Sequence, residues 1–213
     1  MRSLVIGASG GIGAAVADAL AQRGEVTRLS RRDNGLDVTD EASVAAALAS
    51  LDPPFDVIFV ATGALGLPEK QLRALTAGAL ATQIAVNALG PALVLKHALR
   101  LMPRDRRAVF ACLSARVGSI GDNGLGGWYS YRAAKAALNQ LMKTAAIEIA
   151  RTHKEAVVAM LHPGTVDTPF TAGYGHDKVA PATAAANLLG VLDSLTPADS
   201  GCFRDWQGLE IPW

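Results

Sequence analysis

The chain has little cysteine, no excess of either charge and few aromatic residues. Among 213 residues only Cys112 and Cys202 carry thiols, and they sit in apolar surroundings without metal-ligand spacing. That excludes a disulfide framework and a cysteine-built metal site, and reads as free thiols in the reducing cytoplasm. Twenty basic residues against 19 acidic ones give a net charge of +1, too small a field to gather nucleic acid or anionic lipid. His97, His153, His162 and His176 show no metal spacing either, and none reads as a catalyst. No breaker-free apolar run of about 18 residues stands out, so no transmembrane helix is expected. Gly7, Gly10, Gly11 and Gly13 interrupt the N-terminal apolar stretch too early for a signal peptide. What the chain does have is apolar bulk and glycine. Half its residues are hydrophobic and 21 are glycine, with a mean hydropathy of +0.25, enough for a large core in one domain spanning residues 1–213.

Short β-branched runs alternate with alanine- and leucine-rich segments, the pattern of a parallel sheet covered by helices. Strands are predicted at Leu4–Ile6, Val26–Ser30, Asp56–Ala61, Ala108–Leu113, Ala156–Leu161 and Gly201–Trp206. Helices are predicted at Gly11–Arg23, from an Asp40 cap to Ser50, over Leu72–Leu101 with one or two breaks, at Ser130–Arg151 and at Pro181–Leu195. Only Arg32–Gly35 separates the second strand from Leu36-Asp37-Val38. Four residues reach at most roughly 14 Å, too short to cross back under a sheet. The expected architecture is therefore a doubly wound α/β fold of about six parallel strands, with the outer strand after the second one missing or vestigial.

Two groups of residues point to chemistry. Gly7-Ala8-Ser9-Gly10-Gly11-Ile12-Gly13 leaves a buried strand and enters a helix. Glycines there permit a tight turn and let backbone N–H groups approach a pyrophosphate at the positive helix end. At the end of the second strand stand Ser30, Arg31 and Arg32, with no acid to bind a ribose diol. Arginine accommodates a 2′-phosphate, so NADP(H) is favoured over NAD(H). Asp37 lies near enough to reach an adenine or simply to form a turn. Further on, Tyr131 and Lys135 lie four residues apart, on one face of a helix. An ammonium so placed should lower the phenol's pKa toward working pH and make it a usable acid or base. Pro91, four residues after Asn87, has no N–H to bond the Asn87 carbonyl, so a kink is expected there.

These motifs resemble the short-chain dehydrogenase/reductase family, classical type. The likeness runs from Leu4 to the C-terminus through the glycine motif, Asp37-Val38-Thr39-Asp40, Val86-Asn87-Ala88-Leu89-Gly90, Tyr131-x-x-x-Lys135 and Pro163-Gly164-Thr165-Val166-Asp167-Thr168. The run Gly118–Leu138 and the ending Gly201–Trp213 look most like the C-factor and sniffer-type carbonyl reductase branch. The resemblance implies that Tyr131 protonates a carbonyl oxygen, that Lys135 binds the nicotinamide ribose and that Asn87 holds a water in a proton relay. It implies cofactor contacts at Val38, Pro163, Gly164, Val166 and Thr168, and at Ala61, Thr62 and Gly63 on a turn where the family's asparagine is absent. The family uses the second of two serines after the fourth strand to orient the carbonyl. This chain reads Leu113-Ser114-Ala115-Arg116-Val117-Gly118, which puts Ala115 in that place. Ser114 is the choice if the strand bends, and Ser119 the alternative.

Trp128, Tyr129, Phe170 and Tyr174 are expected near the mouth of the site, or in Trp128's case equally in the core. The loop Pro169–Ala180 is short, with Gly173 and Gly175 as hinges, which suggests an open site for a small or medium aldehyde or ketone. Ala133, Ala136 and Ala137 are small enough to let two copies of their helix pack closely. Two rivals stand beside the reductase reading. One is a dinucleotide-binding signalling or regulatory protein of C-factor type; the other, an epimerase or dehydratase, needs a larger C-terminal substrate region than these residues supply.

Overall fold

Leu4, Val5 and Ile6 have no exposed surface, because the first strand lies inside a sheet covered on both faces. The computed structural model describes residues 1–175 and 177–213. Its strands are β1 (Arg2–Ile6), β2 (Glu25–Leu29), β3 (Val57–Val60), β4 (Ala108–Leu113), β5 (Ala156–His162) and β6 (Cys202–Asp205). They form one sheet in the order β2-β1-β3-β4-β5-β6, with every neighbouring pair parallel. The helices are α1 (Gly11–Ala21), α2 (Arg31–Asn34), α3 (Glu41–Ala49), α4 (Ala77–Ile84), α5 (Gly90–Ala98), α6 (Tyr129–Ile149) and α7 (Pro181–Ser194).

The two faces follow from the period of two along each strand. Leu4, Ile6, Ile58, Phe110 and Cys112 point to the face carrying α3, α5 and α6. Val5, Phe59, Val109 and Ala111 point to the face carrying α1 and α7. The result is the doubly wound, Rossmann-type α/β fold expected from the strand and helix spacing. The outer strand is missing too, among the described residues. Beyond β2, Ser30 caps the single turn of α2 through the Asp33 N–H, and Gly35, at φ +71°, turns the chain back. Leu36 returns to hydrogen-bond the Ser30 carbonyl, so the chain stays at the carboxyl ends of the strands.

The long helical stretch needed correction. It begins at Ala77 rather than Leu72, because Leu75 is extended and Thr76 caps α4 through the Ala79 N–H. Between α4 and α5 the backbone forms a π turn at Ala85–Leu89, the break that Pro91 foretold. Ala77–Leu101 is also apolar and long enough to cross a membrane by length and composition. The breakers Gly90 and Pro91 fall inside this stretch without ending it. In the fold this stretch packs on the sheet through Ala88, Val94, Leu95 and Ala98 and buries Asn87 completely.

Candidate active site

In an all-parallel sheet every strand delivers its carboxyl end to the same edge, and ligands bind there at the switch in strand order. That switch lies between β1 and β3. Above it opens a cavity of about 890 Å³.

One side of the cavity is backbone. Gly7, at φ +85°, makes a turn few side chains tolerate. A Cβ at Gly13 would stand 2.2 Å from the Gly7 carbonyl oxygen, and one at Gly11 would stand 2.6 Å from the Thr168 methyl. Ser9, Gly10, Gly11, Ile12 and Gly13 line the cavity at the start of α1, where unpaired N–H groups favour an anion. Gly7 and Val38, both predicted cofactor contacts, are not among the residues that line it. Val38 is buried and packs where a Cβ at Gly90 would meet it at 2.9 Å.

Beyond β2 the predicted polar residues divide. Ser30 donates its hydroxyl to Asp33 at 2.8 Å, and Arg32 donates to the other Asp33 oxygen at 2.9 Å. Ser30 and Arg32 therefore serve the α2 turn and occupy the nearby acid. Arg31 has no ion pair among the described residues. Asp37 accepts from the Thr39 N–H at 2.9 Å and hydroxyl at 2.7 Å through one oxygen. It is a turn-former, and those bonds hold its carboxyl below the usual range.

Ala61, Thr62 and Gly63 border the cavity after β3. Asn87 replaces the asparagine this turn lacks. From the π turn it donates to the Ala64 carbonyl at 2.9 Å and accepts from the Ala64 N–H at 3.2 Å. Gln83 takes its remaining N–H at 2.7 Å. A π turn is a frequent feature of functional sites because it re-aims one residue out of helical register. A Cβ at Gly63 would lie 3.1 Å from Asn87 Oδ1 and 3.9 Å from Lys135 Nζ, so three separate elements converge there.

Tyr131 and Lys135 both line the cavity from the first turns of α6. The Lys135 ammonium donates to the Leu113 carbonyl at 2.9 Å and lies 5.7 Å from the Tyr131 ring centroid. The expected lowering of the phenol pKa is absent. Burial pushes the Tyr131 phenol up, and the Tyr174 phenol adds to the effect. Burial also pushes Lys135 down to about 8, and a weakened ammonium bonded to a carbonyl does not offset the lost hydration. Cys112, beneath Lys135, is pushed up to about 12 by burial and is inert as a thiol.

Of the two candidate serines, Ser114 lines the cavity and Ser119 does not. The ladder continues through Ser114, whose N–H bonds the Leu161 carbonyl, so the strand does not bend before it. Its hydroxyl is buried and donates to Asn139 Oδ1 on α6 at 2.7 Å. Ser119 is also buried and accepts from the Asp122 N–H at 3.0 Å. Ala115, which lines the cavity, brings no polar side-chain atom to it.

The opposite wall is aromatic. Trp128 meets Tyr131 edge-on at 6.1 Å and Tyr174 at 5.8 Å, while Phe170 lies 6.1 Å from Tyr131. Tyr129 is at the surface, outside this cluster. Pro163, Gly164, Val166 and Thr168 border the cavity after β5. Glu69, Arg116 and Asp205 escaped the sequence reading. Trp128 has left-handed backbone, φ +54°, a strained conformation for a bulky residue. The Glu69 carbonyl holds it by accepting the Trp128 N–H at 2.6 Å. The buried Glu69 carboxylate accepts from the Ser130 hydroxyl and N–H, capping α6 from 61 residues away. Arg116 ties the buried Asp205 to Asp122, each at 3.1 Å. His162, beside that network, is pushed down to about 4, chiefly by burial. Spacing gives no signal for such ties, because their partners are joined only by the fold. His176 lies outside the described residues.

Comparison with known proteins agrees with this geometry. The profile of the family described as Enoyl-(Acyl carrier protein) reductase matches residues 26–200. The chain is 34% identical to 1-hydroxy-2-glutathionyl-2-methyl-3-butene dehydrogenase of Rhodococcus sp. (strain AD45), covering 99% of this chain and 98% of that protein. It is 36% identical to the C-signal protein of Myxococcus xanthus over 63% of this chain and 78% of that one. Among solved structures, a short-chain dehydrogenase/reductase from Burkholderia multivorans with bound NADP superposes with a TM-score of 0.84 at 26% identity, covering 100% and 99% of the two chains. Carbonyl reductase Sniffer of D. melanogaster shares the fold at a TM-score of 0.87 and 20% identity, with coverage of 100% and 99%. With its profile match, its full-length relative and its Tyr/Lys pair at the strand ends, the chain belongs to the short-chain dehydrogenase/reductase family of oxidoreductases.

Proposed function

We propose that this protein is an NADP(H)-dependent oxidoreductase that interconverts a small or medium carbonyl compound and its alcohol. The observation that carries the reading is that the glycine turn, Tyr131 and Lys135 open onto one cavity of about 890 Å³. The residues fit a dinucleotide. The turn is closed to side chains at Gly11 and Gly13, leaving bare N–H groups at the positive end of α1 for a diphosphate. Arg31 makes no ion pair among the described residues, although the Asp37 carboxylate feels its charge, while both oxygens of Asp33 are occupied; a 2′-phosphate suits that arrangement. The Burkholderia structure with NADP is consistent with the same choice.

When bound, NADPH supplies the hydride. Tyr131 donates its phenolic proton to the carbonyl oxygen as charge develops there. A phenol pushed up by burial keeps that proton at neutral pH and so is present as the donor. Lys135 would hold the ribose hydroxyls, and a proton from solvent, passed by way of the Asn87 side of the site and Lys135, would regenerate the Tyr131 phenol. Asn87 also fixes the turn at Ala64, so its removal would loosen both cofactor and proton path. The Rhodococcus relative, named as a dehydrogenase, accords with alcohol–carbonyl chemistry. Two free cysteines, one buried and one partly buried, accord with a cytoplasmic location.

The test is NADPH oxidation against a panel of aldehydes and ketones. Tyr131→Phe should lower kcat by roughly 10²–10⁴-fold while NADPH Kd stays unchanged. Arg31→Ala should weaken NADPH by roughly 10–100-fold, the worth of a charge-assisted contact, and leave NADH unaffected. Full activity in Tyr131→Phe would sink the catalytic reading. A second reading, a dinucleotide-binding signalling protein, is favoured by the likeness to C-signal and by the missing hydroxyl at Ala115. NADPH binding without turnover of any carbonyl would select it.

A further inference from the structure

We propose that Tyr174 is a catalytic residue of this site, its phenol donating the second hydrogen bond to the substrate's carbonyl oxygen opposite Tyr131. The inference rests on the carbonyl-reduction reading above and assigns a group that reading leaves open. Hydride addition places negative charge on the carbonyl oxygen, and donors already aimed at that oxygen stabilise the transition state most. Tyr131 is one such donor.

Among the cavity's other hydroxyls, Ser9 on the glycine turn and Thr165 after β5 line it without belonging to the aromatic group that holds Tyr131, and the rest are engaged or shut off. Ser114 donates to Asn139 at 2.7 Å from a buried position. Ser119 is buried and tied to the Asp122 N–H. Thr168 points its hydroxyl at the Val166 carbonyl. Thr62 Oγ1 and His162 Nδ1 have no partner, but both atoms are shut off from the cavity surface.

Tyr174 is different on each count. It lines the same cavity as Tyr131, and its hydroxyl has no hydrogen-bond partner among the described residues. Its ring leans on Trp128 at 5.8 Å, and the same indole meets the Tyr131 ring at 6.1 Å. One side chain thus sets the spacing of both phenols, and its own backbone is locked to Glu69. The two phenols are close enough for Tyr174 to raise the Tyr131 pKa, and burial raises that of Tyr174 itself. Tyr174 is therefore a neutral donor at working pH. It keeps its proton throughout; Tyr131 alone gives one up, so the proton balance of the reduction is unchanged. Phe170, 6.1 Å from Tyr131 on its other flank, carries no polar atom and only excludes water.

The test compares Tyr174→Phe, Ser114→Ala and wild type on one reduced carbonyl, with NADPH Kd measured by fluorescence. Tyr174→Phe keeps the ring on Trp128 and should lower kcat about 10²-fold, the effect of losing one donor to a developing oxyanion, with NADPH Kd unchanged. Ser114→Ala should lower kcat less than Tyr174→Phe does, since the Ser114 hydroxyl is bonded to Asn139; a larger loss in Ser114→Ala than in Tyr174→Phe overturns the proposal. Adding Ala115→Ser to Tyr174→Phe should recover at least part of the loss by restoring a donor from the β4 side. Wild-type kcat in Tyr174→Phe overturns the proposal, as does loss in Tyr174→Ala with none in Tyr174→Phe, which would leave the ring a packing element only. In both cases a dead Tyr131→Phe keeps the reductase reading intact. No carbonyl turnover by wild type would instead defeat that reading and this one with it.

Discussion

The two sides of the cavity use glycine for opposite reasons. On the dinucleotide side glycine is required by lack of space: a Cβ at Gly13 would stand 2.2 Å from a backbone oxygen, and at Gly11 2.6 Å from a side chain. On the substrate side, Gly173 and Gly175 line the cavity and would meet nothing within 4 Å. The first side is a backbone mould whose shape is fixed by close approach. The second is a wall of side chains, Trp128, Phe170, Tyr174, Arg116 and His162, held by long-range contacts and joined by loops with room to move. A mould suits a partner of constant shape. A wall of side chains can be changed without disturbing the mould, which is how one fold can serve many carbonyls.

The largest way to break this contrast is Gly13→Ala. The overlapping atom is backbone, so the strain cannot be relieved by rotating a side chain. The expected loss is at least about 3 kcal/mol, at the top of the range for overpacked cores, or roughly 6–12 °C in Tm for a chain of this length. NADPH binding should fall with it. A Gly13→Ala variant with near-native Tm and NADPH affinity in a thermal-shift titration would remove the mould.

The same contrast governs what the sequence made legible. Strand periodicity, the glycine turn, the π-turn kink at Pro91 and the Tyr131/Lys135 pair are all local, encoded within a few residues of one another. The short Arg32–Gly35 connection even foretold the missing outer strand, because reach is a local quantity. Ser114 does line the cavity, but the partner of its hydroxyl, Asn139, stands 25 residues further on and is not readable from local sequence. Glu69 on Ser130 and Arg116 on Asp205 were invisible for the same reason. The pKa of Tyr131 also went the wrong way: spacing gives the neighbour's charge, but burial, which outweighs it here, belongs to the assembled fold. The cofactor half is thus legible in short motifs, and the substrate half only in three dimensions.

An intermediate effect sharpens the substrate side. His162 is pushed down to about 4 in the folded protein from an ordinary 6.5, mainly by burial. Between those values the unfolded chain binds a proton that the folded one refuses, so stability rises with pH across this window. Stability is full above about pH 6.5 and falls as the pH drops toward 4. The loss from this group is on the order of 3 kcal/mol. His162→Gln should flatten that part of a pH–stability curve measured by urea unfolding. An unchanged slope would mean that the imidazole titrates normally and that this wall is wetter than its burial implies.

The smallest effect is the most informative about the wall's joints. Gly173 precedes Tyr174, lacks positive φ and has open space where a side-chain carbon would stand. Alanine there restricts the unfolded chain more than the folded one, so Gly173→Ala should be neutral or stabilising by about 0.4–1 kcal/mol. Carbonyl kcat should stay within about threefold if the loop rests in the observed conformation when Tyr174 meets the substrate. If Tm holds but kcat falls tenfold or more, residue 173 must visit backbone angles that alanine resists during turnover. The substrate wall would then work by moving Tyr174 into place, and the contrast would lie between a fixed mould and a mobile arm.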